Sequence, residues 1–197
     1  MLALIVAGGR GTRLNMGEKP LVRICDRPMI AYVADAFYEA GVEPVAVLSP
    51  SVPQTGNWCR ANGITTFQAK GVGYVEDITE CIEMLDIAEP VFTSVSDIPC
   101  LTSDIITSVL DVYRAAGTDA CSVWVPAALC QEYGANPAYI QRINETDAVP
   151  CGINILDGAK NGEEQEETPI LMDVPRLAVN VNTPADVAAA HRILLSR

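Results

Sequence analysis

The chain has 197 residues, enough to bury a substantial hydrophobic core without disulfide or metal staples and too few for two full-sized domains. Hydrophobic residues make up 49% and charged residues 19%, which excludes a disordered, collagenous or coiled-coil chain. The formal charge of −12 argues against general attraction to nucleic acid or anionic lipid, but residues 1–27 hold five of the 13 cations and only two of the 25 acids.

The seven cysteines are odd in number, form no C-x-x-C pair and lie mostly within apolar runs. That pattern predicts reduced, buried thiols and a cytoplasmic chain, without a disulfide frame or a zinc site. The apolar run after Met1 stops at Gly8, too short for the hydrophobic region of a signal peptide, and no run approaches a membrane span.

Residues 2–7 (LALIVA) are continuously apolar and end at Gly8-Gly9, as a strand buried on both faces does. Similar runs predict strands at 45–48, 64–67, 91–95, 120–125, 152–156 and 177–179. Helical spacing of apolar residues predicts helices over 29–40, 75–85 and 103–115, the last capped by Thr102 or Ser103. Alternating strands and helices imply an α/β fold, a three-layer, mostly parallel twisted sheet. After Val125 the rhythm breaks, and residues 126–176 read as an inserted, partly antiparallel section containing an acidic polar loop at 161–167. Thr183 and Pro184 then open a final helix to about Leu195. The whole reads as a single domain over 1–197, divided by the change of rhythm into a first section at 1–125 and a second section with the closing helix at 126–197.

The first strand delivers the chain into Ala7-Gly8-Gly9-Arg10-Gly11-Thr12-Arg13, the position where open parallel sheets bind ligands. Glycines let backbone N–H groups approach an anion, and Arg10, Arg13 and Lys19 supply charge-assisted donors for phosphate oxygens. Two other glycine loops fail on spacing. A dinucleotide G-x-G-x-x-G read from Gly9 places Leu14 at the third small position, and a Walker loop read from Gly11 is one residue too long to Gly17, with Glu18 in place of its lysine.

The segment LALIVAGGRGTRL followed by EKPL resembles the signature loop of nucleotidyltransferases with a glycosyltransferase-A-like fold. The resemblance implies that Leu4, Ala7, Gly8, Gly9, Gly11, Thr12, Arg13 and Lys19 contact a nucleoside triphosphate. Arg13 and Lys19 would then stabilise charge during attack at the α-phosphorus. Ser94-Val-Ser-Asp97 is similar to the family's metal-binding aspartate motif, and Asn180-Val-Asn182-Thr-Pro to the segment supplying a second ligand, so Asp97 and Asn182 are the expected Mg²⁺ ligands. Capping or turn roles are the other reading of both residues.

Two further blocks, Lys70-Gly71-Val72-Gly73-Tyr74-Val75-Glu76-Asp77 and Val149-Pro150-Cys151-Gly152-Ile153-Asn154, are similar to the archaeal family of adenosylcobinamide-phosphate guanylyltransferases. This resemblance spans essentially the whole chain. It implies GTP and adenosylcobinamide phosphate as substrates and a place in cobalamin biosynthesis, with no nucleic acid or membrane partner and a homodimer left open. Gly71 and Gly73 open a helix beside the first loop, where Glu76 or Asp77 could accept from guanine N1–H and the 2-amino group, though acids in a first turn also serve the helix dipole. Gly152 and Asn154 are assigned to the acceptor side, with a plain strand kink as the other reading of Gly152. Trp124, Tyr133 and Tyr139 lie near the expected acceptor surface. The rival functions are a molybdopterin guanylyl- or cytidylyltransferase on the same scaffold and a non-catalytic nucleotide sensor.

Overall fold

The computed structural model describes every residue except Arg10, Thr12, Arg13, Asn15, Asn136, Ala138 and Arg197. Its elements in chain order are β1 (Leu2–Val6), β2 (Arg23–Ile24), β3 (Arg27–Pro28), α1 (Met29–Glu39), β4 (Glu43–Leu48), α2 (Pro53–Ala61), β5 (Thr65–Gln68) and α3 (Tyr74–Met84). Then follow β6 (Pro90–Val95), α4 (Ser103–Ala116), β7 (Ala120–Pro126), α5 (Ala127–Glu132), β8 (Gln141–Ile143), β9 (Thr146–Asp157), β10 (Glu167–Leu171) and α6 (Pro184–Leu195).

Strands from both predicted sections share one eight-stranded sheet, in the order β10-β7-β9-β6-β1-β4-β5 with β8 on the side of β9. β1 runs parallel to β4 and β6, β4 to β5, and β10 to β7, whereas β9 is antiparallel to β6 and β7. The prediction of a mostly parallel sheet with an antiparallel intrusion matches this arrangement.

β1 is apolar throughout because both its faces are covered. Ala3 and Ile5 join the core shared with α1, α2 and α4, while Leu4 faces α3 among Val45, Val47, Ile78 and Ile82. On α1, residues Ile30, Val33, Ala34 and Phe37 form the stripe toward the sheet, and Phe37 meets Phe92 of β6 edge to face at 5.5 Å. A third cluster joins Leu14, Val22, Ile24, Met29, Val179, Val181, Ala189 and Ile193, so α6 packs beside the glycine loop.

Several expectations are corrected. Residues 177–179 are not a strand: Pro175–Leu177 is a 3-10 turn, and the run is apolar because its members enter the two cores. β10 begins inside the predicted acidic loop; as an edge strand pairing only β7, it tolerates Pro169. The remaining loop is braced, since Asn161 Nδ2 donates to Thr79 O at 3.0 Å and Gln165 bonds Asp157 in both directions. Thr102 occupies the N-cap of α4 without making a side-chain cap. Thr183, as expected, caps α6, in a reciprocal box with Asp186. Of the seven cysteines, Cys25 is exposed and six are buried.

Candidate active site

β1, β4 and β6 end together at one edge of the sheet, and they lead there into Gly8, Ser49 and Asp97 respectively. Ala7, fully buried, donates its amide to Val47 O at 2.8 Å, which holds the start of the glycine loop in line with the sheet. Ser49, just beyond β4, donates through Oγ to Gly8 O at 2.8 Å. A Cβ on Gly8 would lie 3.0 Å from Ser49 Cβ, and one on Gly71, whose φ is +73, would lie 2.8 Å from it. Ser49 therefore wedges between the two glycine loops and fixes their separation. The cleft they form measures about 350 Å³ and is bordered by Gly8, Gly9, Ser51, Gly71, Gly73 and Asp77.

The second glycine loop is braced from its own helix. Asp77, buried, accepts from Gly71 N at 2.9 Å and Val72 N at 3.2 Å through Oδ1, and Glu80 accepts from Lys70 N at 3.1 Å. That backbone bond, with its ion pair to Lys70, holds the Glu80 carboxyl below the ordinary range. Three successive amides thus point into α3. Glu76 or Asp77 is the candidate for reading guanine; Asp77 borders the cleft, but one of its oxygens is committed to the loop. Gly73 has an extended φ of 177, and Glu76 lies against it.

Lys19 sits on a 3-10 turn over Lys19–Leu21, seated by buried Pro20. Its Nζ forms an ion pair with Asp97 Oδ2 and donates to Asn182 Oδ1 at 2.8 Å. Asn182 is oriented in turn by its own Nδ2, which reaches Asn180 Oδ1 at 2.9 Å, and by its amide, held on Asp186 at 2.9 Å. Val181 N donates to Asp97 O at 2.8 Å, tying the two metal-ligand candidates together through the backbone. The lysine also explains Gly11: with φ +61, a Cβ there would lie 2.8 Å from Lys19 Cβ.

The oxygens of Asp97 and Asn182 converge from segments 85 residues apart, and Asp97 Oδ1 is buried with no hydrogen-bond partner among the described residues. A hard, oxygen-seeking cation suits this donor set, since one carboxylate and one neutral oxygen leave most positions for substrate phosphates and water. No group of three or more acidic, histidine or cysteine side chains with metal-binding spacing occurs among the described residues.

Other predicted residues fall at different depths. Leu4 is fully buried under α3. Gly152 has φ +85, and a Cβ there would meet Val95 Cγ2 at 2.7 Å, so it lets β9 pass close to the end of β6, two residues before Asp97. Thr12 and Arg13 lie outside the described residues. Asn154 points to the α3 side, donating to Thr93 Oγ1 at 3.1 Å at the floor of a cleft of about 440 Å³ that also includes Tyr74. Burial raises the Tyr74 phenol above its ordinary value, so it remains a neutral donor.

A different cleft, of about 480 Å³, starts at Asn182 and runs past Asn180, Cys151, Pro150, Val125 and Cys130. Tyr139 is exposed and tilted on Trp124 at 6.3 Å, and Tyr133 packs into the core. The lone histidine, His191, is on the exposed side of α6. Sequence reasoning missed Ser49 and Glu18; the run Ser49-Pro50-Ser51 directly after a predicted parallel strand was the available signal.

Residues 3–148 match the model of the MobA-like NTP transferase domain. The chain is 33% identical over 205 residues to adenosylcobinamide-phosphate guanylyltransferase of Methanocaldococcus jannaschii, covering 98% of this chain and 97% of that protein. Among solved structures, CMP:2-keto-3-deoxy-manno-octonic acid synthetase complexed with CTP superposes with a TM-score of 0.75 at 15% identity, over 98% of this chain and 97% of that one. A hypothetical transferase from Thermus thermophilus gives 0.71 at 20% identity, over 94% and 99%. At such identities these two establish the fold alone. The chain belongs to the MobA-like NTP transferase domain family and, within it, to the family of the Methanocaldococcus guanylyltransferase.

Proposed function

We propose that this protein transfers GMP from GTP onto the phosphate of adenosylcobinamide phosphate, a step of cobalamin biosynthesis. An oxygen of the acceptor phosphate attacks the α-phosphorus in line, the bond to the β-phosphate bridging oxygen breaks, and pyrophosphate leaves with that electron pair. The products are adenosylcobinamide-GDP and pyrophosphate. An acceptor phosphate is already ionised at neutral pH, so no general base is needed, and a chain whose one histidine lies on the outer side of α6 is adequate. Catalysis reduces to positioning and charge neutralisation.

The observation that carries this reading is the Lys19 ammonium held between Asp97 and Asn182 at the end of the glycine loop. In the reading, Gly8, Gly9 and Gly11 line the polyphosphate, Lys19 neutralises charge that develops on the α-phosphate and leaving group, and the cleft at Gly71–Asp77 holds the base. Asp97 and Asn182 would hold Mg²⁺. Mg²⁺ supplies charge neutralisation on the phosphate oxygens when bound. The cleft beginning at Asn182 is the acceptor side, which moves the acceptor away from Asn154. No helix among the described residues is long and apolar enough to cross a membrane.

Calorimetric titration with GTP, ATP and CTP, followed by incubation of labelled GTP with adenosylcobinamide phosphate or molybdopterin, tests the proposal. Preference for GTP and pyrophosphate release only with the cobinamide are expected. Turnover of molybdopterin alone, or no release with either acceptor, would defeat it.

A further inference from the structure

We infer that Glu18 is a positioning residue for this reaction, setting Lys19 by tying its segment to the start of α2; the inference rests on the role of Lys19 proposed above. The Glu18 carboxylate accepts from Gln54 N at 2.9 Å, Thr55 N at 2.6 Å and Thr55 Oγ1 at 2.6 Å. α2 has no cap of its own, because its N-cap residue is Val52, which offers no side-chain oxygen. A carboxylate 36 and 37 residues away supplies one instead, at the positive end of the helix. Thr55 is wholly buried, so its hydroxyl has no water to turn to if Glu18 is removed.

On the other side of the same peptide bond, Lys19 N donates to Gly9 O at 3.3 Å, and Leu21 N and Val22 N close the turn on Glu18 O and Lys19 O at 2.9 and 3.1 Å. The lysine backbone is thereby pinned between α2 and the glycine loop. Its side chain departs from the Glu18 anchor to reach Asp97 and Asn182. Charge gives a second reason for the arrangement. A free carboxylate next to Lys19 would compete with phosphate for the ammonium, and the bonds to α2 occupy both oxygens of this one. The bonds also link the lysine to the Ser49–Val52 corner, so both glycine loops and the lysine share one support.

A double-mutant cycle on the full chain, with GTP and adenosylcobinamide phosphate as substrates, tests this. Glu18→Ala should lower kcat roughly 10- to 100-fold and change the KM for GTP less than about threefold. Glu18→Gln, which keeps an oxygen for the Thr55 donors, should recover most of that loss. In a Lys19→Ala background, Glu18→Ala should cost less than about threefold more, because the residue it positions is gone. Equal losses with and without Lys19, or an unchanged kcat in folded Glu18→Ala, would overturn the inference while leaving the role of Lys19 intact. A Lys19→Ala enzyme with full turnover would overturn both. If Glu18→Ala does not fold, Thr55→Val, which removes the hydroxyl donor to the carboxylate, carries the cycle: a kcat loss of about three- to tenfold with Lys19 present and less than about twofold without it is expected, and equal losses in both backgrounds would overturn the inference.

Discussion

Lys19 and Asp97, 78 residues apart in the chain, form an ion pair at the edge of the sheet in which each side chain is only about 15% exposed. Three independent supports converge on it: the 3-10 turn under the lysine, the end of β6 under the aspartate, and the Asn180–Thr183 segment that presents Asn182. A pair this enclosed is costly to desolvate and is weak evidence for stability. In the proposed function, its placement beside two glycine loops gives it a chemical purpose instead.

Lys19→Ala is expected to lower kcat by about 10²- to 10³-fold while leaving GTP affinity within about tenfold, because an ammonium aimed at charge developing in the transition state contributes mainly there. Steady-state kinetics beside calorimetric GTP binding separates the two. Comparable losses in both would make the lysine a binding residue only.

Asp97→Asn keeps the shape of the side chain and its bond to Lys19 but removes the charge facing the orphaned position at Oδ1. The Mg²⁺ concentration for half-maximal activity should rise by about 10- to 100-fold, and Asn182→Ala should raise it less, since a neutral oxygen contributes less to binding a hard cation. A Mg²⁺ titration of turnover gives the answer, and an unchanged profile in Asp97→Asn removes the metal assignment.

Gly152→Ala combines a positive φ of 85° with a Cβ 2.7 Å from Val95, a half-buried branched side chain with little room to retreat. The expected cost is about 1–3 kcal/mol, a melting temperature lower by several degrees. Val95 lies two residues before Asp97, so the displacement should also lower kcat in protein that remains folded. Calorimetric melting and kinetics at a low temperature test both parts, and a Gly152→Ala protein as stable and active as the parent would make the position an ordinary bulge.

Local pattern revealed most of the sheet and the glycine loop, because β1, β4, β6 and β7 are largely buried on both faces and their sequences are mostly apolar. α2 was invisible for the opposite reason. Pro53-Gln54-Thr55-Gly56-Asn57 is a poor helix sequence, and its cap comes from Glu18, a contact that no local window contains. β10 was hidden by Glu167 and Pro169, which an edge strand accepts and a central one would not. Within the site, Lys19, Asp97 and Asn182 were legible through the motifs they sit in, and the structure brings all three together. Asn154 lies away from the cleft that begins at Asn182, because alternation along β9 and the register shift against β7 decide which face it takes.

The thiols give a pH prediction of determinate sign. Burial pushes Cys81, Cys100 and Cys151 up to about 12, and Cys59 and Cys121 to about 11, from an ordinary value of 9.0. Below pH 9 these groups are protonated in both folded and unfolded chains, so their contribution to stability is fully present. As pH rises above 9, the unfolded chain releases protons that the native state retains, and stability falls up to about pH 12. The urea midpoint should therefore be level from pH 7 to 8.5 and decline by pH 10.5, with a shallower decline in Cys100→Ala. Under native conditions at pH 8, a thiol reagent should modify Cys25 quickly and the six buried cysteines only after denaturant is added. Fast modification of more than one thiol in the folded protein, or a midpoint unchanged at pH 10.5, would contradict the burial that drives these shifts.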